Sequence, residues 1–296
     1  MLATRVGGNE SPMIERALVT TEWLAGRLGG PGIRVVDGSM YLPGSGRDAA
    51  GEYAQGHLPG AVFFDVEASS DPRSSLPHML PTPAEFAERM SALGLDDADD
   101  IIVYDGSGAN LSAARVWWMF RVFGHERVAV LDGGSGKWRR ERRPMESGTP
   151  SRRRGNFTAR APSADAVKDL EQVRSLIGAG GVQFVDMRSA GRFGASEPEP
   201  RPGLRGGHIP GSRNLPYNDL VTDDGTLLPP EALRGRISAA GIDPSRPVVA
   251  TCGSGVSACT LIHALHLLGH DQVALYDGAW SEWGARGDTP VETGRT

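Results

Sequence analysis

The second half of this chain repeats, in the same order, four short motifs of the first half. The matched pairs are residues 34–37 and 183–186, 57–61 and 208–212, 106–108 and 253–255, and 132–133 and 277–278. The offset between the members of a pair stays between 145 and 151 residues. Ordered matches at a nearly fixed offset are hard to obtain by chance, so they predict a duplicated domain.

Each half alternates strand-like apolar runs with turns and helical patterns. In the first half, the apolar residues 101–104 lead into a glycine turn and then into a helical stretch through Trp117. Another helix is predicted to start at Thr82, which is followed by Pro83 and, three residues on, by Glu85. Strands regularly followed by helices predict an α/β fold, in which each domain is a parallel sheet flanked by helices.

The chain has 296 residues, which is enough for two ordinary domains. We expect a flexible leader at residues 1–17, a first domain at 18–145, a linker at 146–162 and a second domain at 163–296. The linker is polar and contains three consecutive arginines, 152–154. A nucleic-acid site is the alternative interpretation of these arginines, but the chain is acidic overall, which favours a solvated linker.

Composition and charge exclude several function classes. The net charge of -5 gives no electrostatic footprint for nucleic acid or for an anionic membrane. No apolar run is long enough to span a bilayer, and residues 1–16 carry charges and glycines where a signal peptide needs an apolar core. We therefore expect a cytoplasmic protein. Its two cysteines, Cys252 and Cys259, match neither a disulfide framework nor a zinc site, and neither a metal nor a cofactor is expected.

Cys252 opens a short loop between an apolar run, residues 247–250, and a helical pattern over residues 256–268. Glycines at 253 and 255 allow this loop to curl and to turn its backbone N–H groups inward, which makes an anion site at a helix N-terminus. These donors and the helix dipole favour the thiolate form of a cysteine. A buried structural cysteine in a glycine turn is the alternative, because one cysteine beside glycines is a weak pattern.

The two copies of this loop differ in their chemistry. Asp105 stands in the first copy at the position that Cys252 has in the second, and the first loop is two residues longer. Ligands of open α/β sheets bind at the carboxyl ends of the strands, where both loops are expected. If Cys252 is a nucleophile, the first domain is a non-catalytic support that can contribute side chains across a cleft.

Several motifs resemble the tandem-domain rhodanese family, and in particular its 3-mercaptopyruvate sulfurtransferase branch. These motifs are the two His-x-Pro-Gly turns, residues 116–121, residues 191–193 with 197–201, the Cys252 loop and residues 276–280. The resemblance covers nearly the whole chain and implies two rhodanese-like domains. It also implies an enzyme that moves sulfur from 3-mercaptopyruvate through a Cys252 persulfide to a thiol or another nucleophilic acceptor, with release of pyruvate.

The resemblance also implies a set of site residues. The implied catalytic residues are Cys252, Ser254, His78 and Glu67, and the implied substrate-binding residues are Arg192, Arg201, Gly253, Gly255, Val256 and Ser257. The serine, the histidine and the acid would carry the protons. The family usually has aspartate at the position of Glu67, which leaves Asp65 as an alternative partner of His78. From the residues alone, both arginines are more simply interpreted as surface arginines in a proline-rich loop.

The residues that follow Cys252 indicate which sulfur donor the loop favours. Thiosulfate is a compact dianion that favours a cation at the loop, but Gly253 and Ser254 carry none. 3-Mercaptopyruvate has a carboxylate and a ketone, which suit arginine donors some distance from the sulfur. A thiosulfate:cyanide sulfurtransferase and a module that relays sulfur from a protein partner are the alternatives. A cysteine phosphatase of this fold would need arginine at 258, where this chain has Ala258.

The remaining candidates are interpreted as structural. His57 and His208 lie in tight turns, where their rings are expected to bind the backbone. Cys259 is expected one or two turns into the following helix, as a small buried side chain. The expected partners are a small-molecule sulfur donor and a thiol acceptor such as thioredoxin or a persulfide-accepting protein, and neither nucleic acid nor a membrane.

Overall fold

The computed structural model describes residues 17–42, 44–150 and 152–294. The predicted leader therefore lies outside the described residues, apart from Ala17. Within these ranges, every helix is too short or too polar to cross a bilayer.

A five-stranded parallel sheet forms the first domain. Its strands are β1 (Leu18–Val19), β2 (Ile33–Asp37), β3 (Val62–Phe63), β4 (Asp100–Tyr104) and β5 (Val128–Leu131). They lie in the order β1-β5-β4-β2-β3, and all four neighbouring pairs are parallel. The helices are α1 (Thr21–Ala25), α2 (Ala49–Gln55), α3 (Pro83–Ala92), α4 (Leu111–Val122) and α5 (Gly134–Arg140). The helix predicted from Thr82 is α3, where Thr82 and Glu85 form a capping box.

The second domain repeats this architecture. Its strands are β6 (Val167–Lys168), β7 (Gln183–Asp186), β8 (Arg213–Asn214), β9 (Val248–Thr251) and β10 (Val273–Tyr276). Their order, β6-β10-β9-β7-β8, is that of the first sheet, and their pairing is parallel throughout. The helices are α6 (Leu170–Leu176), α7 (Ala190–Phe193), α8 (Pro230–Ala239), α9 (Ala258–Leu267) and α10 (Ala279–Trp283), with a 3-10 turn at Tyr217–Leu220. The predicted α/β fold with two tandem domains is confirmed.

The central strands are buried on both faces. In β4, Ile101 and Val103 belong to one hydrophobic core cluster, and Ile102 and Tyr104 belong to another on the opposite face. A strand covered by helices on both sides needs apolar residues at every position, which explains why this stretch is a continuous apolar run.

The two domains pack against each other through α4 and α9. Trp117 of α4 meets His263 of α9 edge to face, with ring centroids 4.7 Å apart. One hydrophobic core cluster includes buried residues of both helices, such as Val116 and Leu265. Because α4 follows β4 and α9 follows β9, this packing brings the loops at the carboxyl ends of both sheets to one cleft.

The helix α9 begins at Ala258, two residues later than the helical pattern predicted. Gly255 has a φ of 76°, in the left-handed region that favours glycine, so the chain turns there and Val256 and Ser257 stay in the loop. Cys259 therefore lies in the first turn of α9. The prediction that placed it one or two turns into the helix was wrong, because that prediction started the helix too early.

The predicted linker lies along the first domain. The N–H groups of Gly155 and Arg160 donate to the carbonyl oxygens of Ser91 and Phe123, each at 2.8 Å. Phe157 is buried and inserts its ring among the aromatic side chains of the first domain, including Phe120. One apolar residue therefore fixes a stretch whose polar composition indicated a solvated segment.

Two arginines of this segment, Arg152 and Arg154, are exposed. Arg152 donates to the carbonyl oxygen of Gly60, and Arg154 pairs with Glu88. Both therefore bind groups of the first domain.

Candidate active site

Cys252 is almost fully buried and directly follows β9. The carbonyl oxygens of Cys252 and Gly253 accept hydrogen bonds from the N–H groups of Trp280 and Ser281, both at 2.9 Å, at the start of α10. In contrast, no group of the described residues accepts a hydrogen bond from the N–H groups of residues 253–257. The loop thus has its carbonyl groups engaged and its amide donors available for an anion at the cysteine.

The predicted loop residues separate into two groups. Gly253, Val256 and Ser257 line a cleft of about 250 Å³ together with Cys252. Gly255 is not among the lining residues, and a side chain there would approach the Arg115 guanidinium. Its contribution is the left-handed turn of the loop.

A chain of hydrogen bonds leads from the first domain to this loop. The Nδ1 atom of His78 lies 3.0 Å from the Oγ atom of Ser254, and its Nε2 atom lies 2.6 Å from the Oε1 atom of Glu67. A carboxylate only accepts, so Nε2 donates to Glu67, while Nδ1 lies near both the hydroxyl of Ser254 and its carbonyl oxygen, the latter at 3.3 Å. The arrangement can move a proton between the exposed carboxylate and a hydroxyl two residues from Cys252.

Glu67, and not Asp65, lies at His78. The hydrogen bond from His78 lowers the pKa of Glu67. The Oδ1 atom of Asp65 instead accepts a hydrogen bond from the N–H of Ala68 at 3.0 Å, within the same turn. The longer side chain of Glu67 therefore reaches the imidazole, and the extra methylene group relative to aspartate is accommodated.

Arg192 is held rigidly at the cleft. Its Nε and Nη2 atoms bind the Oε2 atom of Glu199 at 3.2 and 2.5 Å, and Glu199 also pairs with the buried Arg188. A Cβ atom at position 253 would lie 2.9 Å from the Nη2 atom of Arg192. Gly253 is therefore required for the close approach of the guanidinium to the loop, and the Arg192 side chain is only 17% exposed.

Arg201 lies on the same cleft wall but has a different environment. Burial lowers the pKa of Arg201, while the nearby Glu67 carboxylate opposes this effect. Among the residues that the structure describes, no carbonyl or carboxylate group accepts a hydrogen bond from this guanidinium. A half-buried guanidinium at this cleft, with no hydrogen-bond acceptor among the described residues, has donors available for an anionic group.

Sequence reasoning missed the wall that the first domain contributes. Met40, Tyr41, Leu42 and Arg47 line the cleft opposite Cys252. The Arg47 guanidinium lies 3.7 Å from the centroid of the Tyr41 ring and pairs with Glu52, which fixes the ring. These residues follow β2, so their position at the carboxyl end of a parallel strand was the available signal.

Arg115 was also missed. It is fully buried in α4 and forms an ion pair with Asp277 of the second domain, with Nη1 and Oδ1 2.9 Å apart. A charged residue flanked by the apolar residues Ala114 and Val116 was the signal in the sequence, because a buried charge requires a partner.

The residues interpreted as structural have structural contacts. The Nδ1 atoms of His57 and His208 bind the carbonyl oxygens of Tyr53 and Phe193, both at 2.9 Å. The Cys259 thiol is buried and donates to the carbonyl oxygen of Gly255 at 3.3 Å, and its burial raises its pKa far above the ordinary value.

Comparisons with known proteins decide the family. The model of the Rhodanese-like domain matches residues 20–141 and 169–286. This chain belongs to the rhodanese-like domain family. The two matches agree with the two sheets, and the rhodanese-like fold of both domains is thereby confirmed.

Similar proteins include sulfurtransferases named for either of two donors. The 3-mercaptopyruvate sulfurtransferases of Homo sapiens and Escherichia coli K12 are 42% and 45% identical, over 96% and 93% of this chain and 98% and 97% of their own length. The thiosulfate sulfurtransferase of Bos taurus is 43% identical, over 95% of both chains. Overall identity therefore does not separate the donors.

Solved structures agree with this family. The crystal structure of SseA from Escherichia coli, presented as a 3-mercaptopyruvate sulfotransferase, has a TM-score of 0.82 and 42% identity, covering 90% of this chain and 99% of its own. The Tum1 protein of Saccharomyces cerevisiae has a TM-score of 0.85 and 32% identity, covering 94% and 98%.

The contact between Glu67 and His78 predicts a pH-dependent contribution to stability. Because the folded pKa of Glu67 is lowered, this contribution is present above the unfolded pKa, about 4.3, and is lost as the pH falls through the folded pKa. The Glu67 side chain is 65% exposed, so we expect less than about 1 kcal/mol. The measurement is the difference in unfolding free energy between the wild type and Glu67→Gln, by urea titration from about pH 6 to 3.

Glu126→Gln, a change of an exposed glutamate in the same domain, is the control and should show little difference at any pH. A Glu67→Gln difference that does not shrink below about pH 4 would contradict the assignment of the hydrogen bond to the ionised carboxylate.

Proposed function

We propose that this rhodanese-family protein is a 3-mercaptopyruvate sulfurtransferase, in which Cys252 carries the sulfur as a persulfide. The observation that carries the proposal is the proton relay of Glu67, His78 and Ser254, which reaches a cysteine loop without cations. Pyruvate leaves 3-mercaptopyruvate as an enolate, and such a relay can deliver the proton that its carbon must gain.

The first half-reaction begins with attack of the Cys252 thiolate on the sulfur of 3-mercaptopyruvate. A sulfur–sulfur bond forms, the carbon–sulfur bond breaks, and its electron pair stays on the carbon as the enolate of pyruvate. The proton of the substrate thiol passes through Ser254 and His78 to this carbon. The products are pyruvate and the Cys252 persulfide anion, so atoms and charge balance.

The two arginines orient the donor. Arg201, which has no protein acceptor among the described residues, takes the substrate carboxylate, and Arg192 lies beside it against Gly253. Arginine donors fix a planar carboxylate and keto group in one orientation. The substrate sulfur then lies toward Cys252 and not toward the open side of the cleft.

The loop amides stabilise the sulfur anions in both half-reactions. The N–H groups of residues 253–257 have no acceptor among the described residues, and they can donate to the thiolate and to the terminal sulfur of the persulfide. In the second half-reaction an acceptor thiol removes the outer sulfur, which regenerates the Cys252 thiolate and gives an acceptor persulfide. Thioredoxin, a small thiol or a persulfide-accepting protein fits this chemistry, and a reducing cytoplasm would maintain the thiols.

Thiosulfate is the second candidate donor. It is favoured by the bovine relative, and the two arginines of the cleft could bind its sulfonate group. Transfer from thiosulfate leaves sulfite and requires no protonation of carbon. The relay is therefore unnecessary for thiosulfate, which favours 3-mercaptopyruvate as the donor.

We predict that incubation with 3-mercaptopyruvate alone adds one sulfur atom to the protein, because the persulfide has no acceptor. Intact mass spectrometry of the wild type should show this adduct, and a parallel assay should show about one equivalent of pyruvate. Cys252→Ser should show neither, whereas Cys259→Ser should retain both, because the Cys259 thiol is buried and bound to Gly255. An adduct that persists in Cys252→Ser would contradict the assignment of the nucleophile.

We predict that Arg201→Ala raises KM for 3-mercaptopyruvate roughly tenfold to a hundredfold, since a charge-assisted hydrogen bond contributes about 1.5–3 kcal/mol. Steady-state kinetics measure the effect, and alkylation of Cys252 by a neutral reagent should still go to completion, which shows that the thiol stays accessible. Arg286→Ala removes a surface arginine that pairs with Asp288 in the same domain, and it is the matched control. An unchanged KM in Arg201→Ala would assign this arginine to the surface loop.

A further inference from the structure

Arg115 contacts both halves of the proposed catalytic apparatus. Its Nη1 atom lies 3.3 Å from the carbonyl oxygen of Gly255 in the Cys252 loop, and its Nη2 atom lies 2.5 Å from the carbonyl oxygen of His78. The side chain is fully buried, so these contacts have no competition from solvent. A single planar guanidinium therefore spans the backbone of the cysteine loop and the backbone of the histidine.

The backbone of His78 needs such support. Its φ of 61° lies in the left-handed region, which is uncommon for a residue with a side chain and persists where surrounding contacts hold it. The carbonyl oxygen of His78 is directed to Arg115 in this conformation. A different backbone conformation would turn the imidazole away from Ser254 and Glu67.

Asp277 completes this arrangement from the second domain. Its Oδ1 atom pairs with Arg115, and its Oδ2 atom accepts a hydrogen bond from the N–H of Leu80 at 2.8 Å, two residues after His78. Asp277 also precedes α10, whose first N–H groups hold the carbonyl oxygens of Cys252 and Gly253. The same carboxylate thus connects the histidine segment with the helix that supports the cysteine loop.

We infer that Arg115, held by Asp277, is the positioning residue that sets the register between His78 of the first domain and the Cys252 loop of the second. It acts through His78 and touches no substrate, since it lies behind the loop and does not line the cleft. The inference rests on the proposed roles of Cys252 and His78. Both substrate arginines lie in the second domain, so a change of Arg115 should lower the rate of sulfur transfer more than it weakens the binding of the donor.

The test is a double-mutant cycle with Arg115→Lys and His78→Ala, read as the steady-state kcat and KM for pyruvate release from 3-mercaptopyruvate with an excess of an acceptor thiol. Lysine keeps the buried charge but lacks the planar fork, and misplacement by about 1 Å costs on the order of a hundredfold in rate. We expect a fall in kcat of roughly tenfold to a hundredfold in Arg115→Lys with KM within about twofold of the wild type.

The double variant should be no more than about threefold slower than the slower single variant, because both changes disable the same proton relay through His78. Arg34→Lys, which alters an arginine–aspartate pair within the first domain and far from the loop in sequence, is the control and should leave the pyruvate rate unchanged. If Arg115→Lys does not fold, as judged by circular dichroism, Asp277→Asn takes its place in the cycle and should give the same pattern.

The inference would be overturned if the losses in rate of the two single variants multiply in the double variant. A rise in KM that accounts for the lost activity would also overturn it, and Arg115 would then be a general packing residue. A wild type without any pyruvate turnover would instead remove the proposed function itself. The two failures are therefore distinguishable.

Discussion

The packing of α4 against α9 is the contact on which the site depends. Each helix follows a central strand, so their contact brings the carboxyl ends of two separate sheets to a common cleft. Cys252 comes from one sheet and His78 from the segment before α3 in the other domain, and their elements meet only because the domains are fixed together. The geometry of the cleft therefore depends on the packing between the two domains.

The duplicated loops place an aspartate and a cysteine at equivalent positions of one architecture. In the first domain, the Asp105 carboxylate accepts hydrogen bonds from the N–H groups of Ser107 and Ala113, each at 2.8 Å. That loop therefore carries its own fixed anion. In the second domain Cys252 replaces the aspartate, and the loop amides have no acceptor among the described residues. Replacement of a carboxylate by a thiol leaves the donors free for the transient anions of sulfur transfer.

The sequence predicted the fold well because duplication and strand–helix alternation are local patterns that survive without tertiary information. It could not choose between Glu67 and Asp65, since the choice depends on the path of the turn that carries His78. It missed Arg115 because the partner, Asp277, lies 162 residues away in the chain. It also interpreted the segment around Phe157 as solvated, since one buried ring in a polar stretch is invisible to composition. Contacts between distant segments are therefore the information that only the structure supplied.

The central claim is that the first domain supplies a proton relay to the cysteine of the second. The most direct measurement is the ratio of kcat/KM for 3-mercaptopyruvate to kcat/KM for thiosulfate, compared between the wild type and His78→Ala. Only the pyruvate enolate, which leaves from 3-mercaptopyruvate, needs a proton on carbon. The account predicts a ratio above one in the wild type. In His78→Ala the ratio should fall by roughly a hundredfold or more. An unchanged ratio, which an equal loss with both donors would give, would contradict this account.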